Sequence, residues 1–192
     1  MTYLDSHFGQ SQRHWQPSGF ITNLDRFLPH TNTATLLTGR IYFTGGLVVP
    51  AGFTVNNISY VAGDTAGATL THTWFCIVSK DLATIIAKTA DDTSAAWSAQ
   101  TEKRLALSST WTPTTDTPCY LGICVVGTTT PSIMGFGVRA QSINSTTGST
   151  DLLHSTPPSV YTPASSFTDP SSFTTVPSPL TGSDRLHLAW VS

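Results

Sequence analysis

Histidine, paired aspartate, cysteine and tryptophan are the side chains through which this chain would do chemistry, and few of them are grouped. His72 stands next but one to Trp74 in "THTWFC". An imidazole there is a candidate ligand, but a lone histidine in a strand is usually a packing residue with its hydrogen bonds satisfied. Asp91-Asp92 offers two adjacent carboxylates. A calcium loop sets its oxygen ligands at alternate positions; that alternation is missing, so the pair reads as a solvated loop. Asp64 in "AGDTAG" and Asp169 in "TDPSS" read as turn formers, because aspartate bonds its own nearby backbone. Glycosidic hydrolysis needs two facing carboxyl groups about 5 to 10 Å apart. With 11 acidic residues, most in turn contexts, no such pair is legible. No GxSxG, HExxH, Walker or dinucleotide fingerprint occurs. The expectation is a protein that is not an enzyme and uses no cofactor or metal.

The cysteines, Cys76, Cys119 and Cys124, are odd in number and include no CxxC pair. They do not make a disulfide framework. Cys119 and Cys124 are five apart in an apparent strand, so their side chains leave opposite faces. Three buried thiols made in a reducing cytosol are expected. The tryptophans raise a different chemistry, since flat rings on a sandwich surface stack sugars. Trp97 and Trp111, with Trp74 beside them in the count, are candidates for a glycan platform. The competing reading makes all three core: Trp74 lies in an apolar run, and Trp97 and Trp111 flank a strand.

Composition limits what must position these groups. Only 10% of the 192 residues are charged, against roughly 25% in ordinary soluble domains. Thr and Ser supply the polarity. Threonine favours strands because its branched side chain fits a pleated surface, and frequent Gly, Pro, Asn and Ser punctuate turns. The net charge of −2 and the absence of any Lys/Arg run exclude a nucleic-acid footprint. "MTYLDSHFGQ" has no basic region followed by an apolar one, so no signal peptide is expected. No apolar run approaches the roughly 18 residues of a membrane span.

Along the chain, residues 1–35 carry aromatics and histidines without periodicity and read as an extended N-terminal arm. Residues 36–140 read as a β-sandwich domain of short strands spaced 8 to 12 residues apart. In it, Gly45-Gly46 reads as a turn signal, and "FTVNNISYVAG" slips once at Asn56-Asn57, where a bulge fits. The stretch "TWFCIVSKDLATIIAKT" reads either as a helix or as a hairpin. Its β-branched cluster favours the hairpin. Asp91 to Trp97 reads as a loop returning to the sheet. Tyr120, just after Pro118, is placed either as a corner tyrosine bonding upstream backbone or as a plain core ring. Residues 141–192 form a Pro/Ser/Thr-rich extension. Proline bars it from central strands, but Val160, Tyr161, Phe167 and Phe173 recur as if the segment plugs aromatics into a surface. "DRLHLAWVS", with Leu186, Leu188 and Trp190 alternating, reads as a last strand packing on the sandwich. The fold expected is all-β: a jelly-roll-like antiparallel β-sandwich with that arm and extension.

One resemblance adds to this. "TGRIYFTG", "LVVPAGFTVNNISY", "WFCIVSKD", "DDTSAAW", "KRLALSSTWTPTTDTPCYLGICVV" and "TTTPSIMG" run in order through residues 36–137. That grammar resembles β-sandwich virion structural proteins of actinobacterial tailed phages, of minor tail or capsid decoration type. The chain departs from tail fibres in having no long collagen-like or coiled-coil shaft. The resemblance implies a structural protein of a bacteriophage virion, made in the host bacterial cytoplasm. It would be a surface or decoration protein (minor capsid or head-fibre) or a minor tail protein. Its partners would be other virion proteins, capsid or tail subunits, and further copies of itself, a trimer by analogy. The alternative function is a receptor- or glycan-binding module at the tail tip, with a host-surface glycan as ligand on Trp97 and Trp111.

Overall fold

The computed structural model describes residues 19–23, 31–93, 96–137, 159–164, 166–183 and 185–192. Most of the expected arm, and residues 141–158 of the expected extension, lie outside the described residues. The first strands are β1 (Ile21–Thr22), β2 (Thr31–Thr35), β3 (Ile41–Val49) and β4 (Val55–Val61). The long central strands follow: β5 (Ala68–Ser79), β6 (Ile85–Lys88), β7 (Glu102–Trp111), β8 (Thr117–Thr129) and β9 (Ser132–Gly137). The C-terminal residues add β10 (Ser159–Tyr161), β11 (Thr181–Gly182), β12 (Arg185–His187) and β13 (Ala189–Val191), with one 3-10 turn at Pro170–Ser172. Among the described residues there is no α-helix, and every strand pairing is antiparallel.

The strands make three sheets: β1-β13-β4-β7, β11-β10-β3-β8-β5-β6 and β12-β9-β2. The four- and six-stranded sheets share an inner core. Val55, Ile58 and Tyr60 of β4, with Ala189 and Val191 of β13, pack with Phe75 and Ile77 of β5 and with Leu121, Ile123 and Val125 of β8. The Tyr60 and Phe75 rings stand 4.8 Å apart across it. The six-stranded sheet has a second apolar face. Ile41, Phe43, Trp74, Cys76, Val78, Tyr120 and Cys124 lie there under Val160, Phe167, Phe173, Val176 and Leu180.

Burial on both faces explains "TWFCIV". A strand covered on one side alternates apolar with polar, whereas one covered on both reads as a continuous apolar run. The hairpin reading holds. Ile77 of β5 faces Ala87 of β6, and the turn between them is tied by Ser79 and Asp81. Thr84 N donates to Ser79 Oγ at 2.9 Å, and Ala83 N to Asp81 Oδ1 at 3.1 Å. Leu82 takes φ +57° in that turn.

Gly45-Gly46 is not a turn. Both residues lie inside β3, where Thr44 faces Leu121 but Leu47 faces Cys119, so β3 carries one extra residue. A bulge of this kind switches which face the following side chains use. Ile41 and Phe43 accordingly face outwards, while Leu47 and Val49 face the inner core. The glycine is needed because a Cβ at Gly45 would come 2.8 Å from the Tyr120 ring. Tyr120 itself is buried in the outer core.

At Asn56-Asn57, where a bulge is expected, both backbone amides donate to Ser192 O, at 2.7 and 2.8 Å, the two-to-one pattern of a bulge. The β4–β7 register shift beside it has its extra residues in β7, where Val55 faces Trp111 and Asn57 faces Ala106. The C-terminal strand differs from its pattern. Leu186 and Trp190 are only half-buried, and Ala189 and Val191 reach the inner core instead. Buried Asn23, beside β1, holds it there: its Oδ1 accepts from Ala189 N at 2.9 Å and its Nδ2 donates to His187 O at 2.8 Å.

Gly135 of β9 faces both Thr31 of β2 and His187 of β12. A methyl group there would collide with the Leu186 carbonyl oxygen, which is backbone and cannot swing away. Gly135→Ala is expected to cost about 1–3 kcal/mol and to raise amide exchange at Arg185–His187, as read by urea unfolding and hydrogen-exchange mass spectrometry.

Candidate functional site

The polar side chains gather at two places along β5, one on each face of the six-stranded sheet. On the outer face, His72 Nδ1 lies 2.6 Å from Asp91 Oδ2, with 28% and 16% of the two side chains exposed. Trp74, two residues on and on the same face, donates its Nε1 to Thr168 O at 2.9 Å. Lys88 of β6 donates to Pro170 O at 2.7 Å and to Phe173 O at 3.0 Å. Asp169 caps the intervening 3-10 turn, accepting from Ser171 N at 2.7 Å and Ser172 N at 3.2 Å. Its carboxyl is held below the usual range by the Ser171 hydroxyl first, then by the backbone amides, with His72 adding a favourable charge.

Trp74 and Lys88 act directly on the C-terminal segment, and the His72–Asp91 pair stands beside them on the same face. The sheet's donors hold three carbonyls around the turn, those of Thr168, Pro170 and Phe173, and the Phe173 ring sits in the outer core, 5.7 Å from Trp74 and 6.1 Å from Phe43 between ring centroids. The constellation is a clasp. What it does chemically is bind peptide carbonyls.

At the second place, Lys103 Nζ lies 2.7 Å from Asp92 Oδ2 and 5.7 Å from the Trp97 ring centroid. Lys103 is only 8% exposed. Its strand partner is Tyr60, and Asp92 bridges to Thr73 of β5. This ion pair ties β7 to the segment that follows β6, and Thr89 bridges to Leu107 alongside. One flank of the two-layer core is thereby sewn together.

Asp91 and Asp92 thus do not act as a pair. Neighbouring residues of an extended chain point to opposite sides, and each carboxylate meets its own partner, the His72 imidazole or the Lys103 ammonium. Asp64, at a bend between β4 and β5, accepts from Gln100 Nε2 at 2.8 Å. Among the described residues, no group of three or more His, Cys, Asp or Glu side chains is arranged to hold a metal ion.

Trp97 is 1% exposed, with its Nε1 donating to Thr101 O at 3.0 Å. Neither ring face is open to a sugar, so it takes the core alternative. Trp111 ends β7 opposite Val55 and is half-buried against the inner core. Trp111 faces Val55 and Lys103, beside Trp97, faces Tyr60, about 17 Å apart along β4 at roughly 3.3 Å per residue. The two rings do not form one platform. Trp74 is fully buried in the outer core.

All three thiols are buried and unbridged. Burial pushes Cys119 up to about 12, and Cys76 and Cys124 higher still. A neutral buried thiol is a poor nucleophile. A group whose folded pKa is raised keeps its proton where the unfolded chain has lost it. The stability it contributes is therefore full below about pH 8.5, the free thiol value, and falls as pH rises towards 12. Urea midpoints are expected to be level from pH 6 to 8 and to drop by pH 10. A thiol reagent at pH 8 should label the protein only at its unfolding rate.

Sequence reasoning missed Lys88 and Lys103. A lone lysine in a strand gives no local signal of a partner more than ten residues away. No family model matches the chain, and no curated protein matches it.

Proposed function

We propose that this chain is a non-enzymatic structural protein of a bacteriophage virion. Its sandwich is read as jelly-roll-like, and its place as the capsid surface or the tail. The resemblance over residues 36–137 suggests the setting. The observation that favours building material over chemistry is the use made of the polar groups. Lys88, Trp74 and Asp169 are spent on fastening and shaping the C-terminal segment over the six-stranded sheet, His72 and Asp91 on each other, and Lys103 and Asp92 on sewing one flank of the core.

In this reading the sheets are a rigid body and assembly uses what they leave over: strand edges, the N-terminal segment and low-charge, Thr-rich surface. Many weak contacts between symmetric copies then sum to avidity. Other virion subunits and further copies of this chain are the partners.

The test is location. Purified particles, separated into heads and tails, are digested and analysed by mass spectrometry, and antibody-gold labelling gives the position. The chain is expected at stoichiometric copy number on one of the two. Its absence from particles, or its isolation from uninfected cells as a monomer turning over a substrate, overturns the proposal.

A further inference from the structure

We infer that the chain from Ser159 onward is exchanged between copies. The groove on the outer face of the six-stranded sheet, filled here by residues 159–164 and 166–183 of the same chain, receives the same segment of a second copy in the assembled state. This rests on the assembly reading above and names the contact by which copies join.

The segment is held as a peptide is held. It adds one short strand, β10, to the edge of β3, pairing Val160 with Phe43 and Tyr161 with Tyr42. It then runs on without long secondary structure, fixed by anchors. Thr162 Oγ1 accepts from Ile41 N at 3.1 Å, Phe167 N donates to Gly39 O at 3.1 Å, and Phe167 and Phe173 fill the apolar floor. Trp74 and Lys88 bind its carbonyls from the side. Strand addition plus side-chain pockets is a general way for a sheet to bind an extended chain. Nothing in those contacts depends on which copy supplies the segment.

Exchange therefore leaves the interactions unchanged and alters only the connection and the concentration terms. The connection is long. Residues 138–158 separate Gly137, the end of β9, from Ser159, and a chain of that length spans at most about 70 Å. A compact domain of this size has a radius of gyration of about 16 Å, so a neighbour's groove is within reach. On a virion surface, where copies are crowded, the neighbour competes with the chain's own groove. Beyond the segment, β13 travels too, and it lies between β1 and β4 in the other layer. An exchanged pair is thus interlocked through both layers and separates only by unfolding.

Tyr42 and Tyr161 are in register, with rings stacked at 5.3 Å, and provide the probe. Tyr42→Cys is made in one batch and Tyr161→Cys in a second, isotope-labelled batch. The two are unfolded together, refolded at high concentration, oxidised and weighed intact without reductant. A disulfide dimer containing one light and one heavy chain is expected, growing with concentration. The double variant in one chain is the geometric control. If it bridges within itself while the mixture yields no mixed dimer, the inference is overturned.

The unsubstituted chain gives a second reading if the variants do not fold or bridge. Light scattering after refolding at high concentration is expected to show a multimer that survives dilution, and a monomer at every concentration overturns the inference. A chain that exchanges in solution but is missing from particles leaves exchange standing and removes the virion proposal. A chain found on particles that never exchanges does the reverse.

Discussion

Phe173→Ala lowers the unfolding free energy by about 3–5 kcal/mol, the range for removing a fully buried phenylalanine ring. The residue sits in "SSFTTVP", a stretch whose composition suggests a solvated stalk. Its ring is nevertheless fully buried, against Phe43, Trp74 and Phe167. Without it, Lys88 and Trp74 still bind the surrounding carbonyls, but over a cavity. Loss of the plug exposes the outer faces of β3, β5 and β8 while the inner core keeps its packing. The denaturation midpoint should fall, and amides of residues 159–183 should exchange before those of β5 and β8. A loss under about 1 kcal/mol, with unchanged exchange, would mean that the segment does not lie on the sheet.

Trp97→Ala carries a loss of similar size, about 3–5 kcal/mol, for a different reason. The indole closes one end of the inner core, 6.3 Å from the Phe75 ring, and carries Lys103 over its face. Its removal empties a large volume and also strips the Lys103–Asp92 pair of its apolar wall. Trp111→Ala, half-buried at the far end of β7, should cost clearly less. Thermal unfolding of the two variants side by side checks the order. If Trp97→Ala stays as stable as the parent and loses binding to an immobilised glycan array, the glycan-module alternative gains and the core placement is wrong.

The all-β class was legible because the pattern is local. "TWFCIV", "CYLGICVV" and the turn residues of Ser79-Lys80-Asp81 each carry their own signal, and the structure has strands and a turn there. Gly45-Gly46 misled because glycine serves turns and bulges alike, and only the Tyr120 ring across the sheet distinguishes the two. The C-terminal strand was legible as a strand but not in phase. Small Ala189 and Val191 fill the inner core, and the larger Leu186 and Trp190 of the same stretch stay half-buried. The polar clasp was hidden for a stronger reason. Its members come from β5, β6, the Asp91 loop and a segment some eighty residues further on, and proximity of that kind is created by folding.

The extra residue in β3 has a consequence for how such chains diverge. Ile41 and Phe43 in the strand's first half enter the outer core, Leu47 and Val49 in its second half enter the inner core, and a single position sets the change of side. Substitutions within Ile41–Val49 are graded in effect, whereas gain or loss of one residue there would turn half the strand inside out. Length through this stretch behaves like punctuation in a reading frame. Distant relatives should therefore keep the spacing between Phe43 and Leu47 long after their side chains have changed.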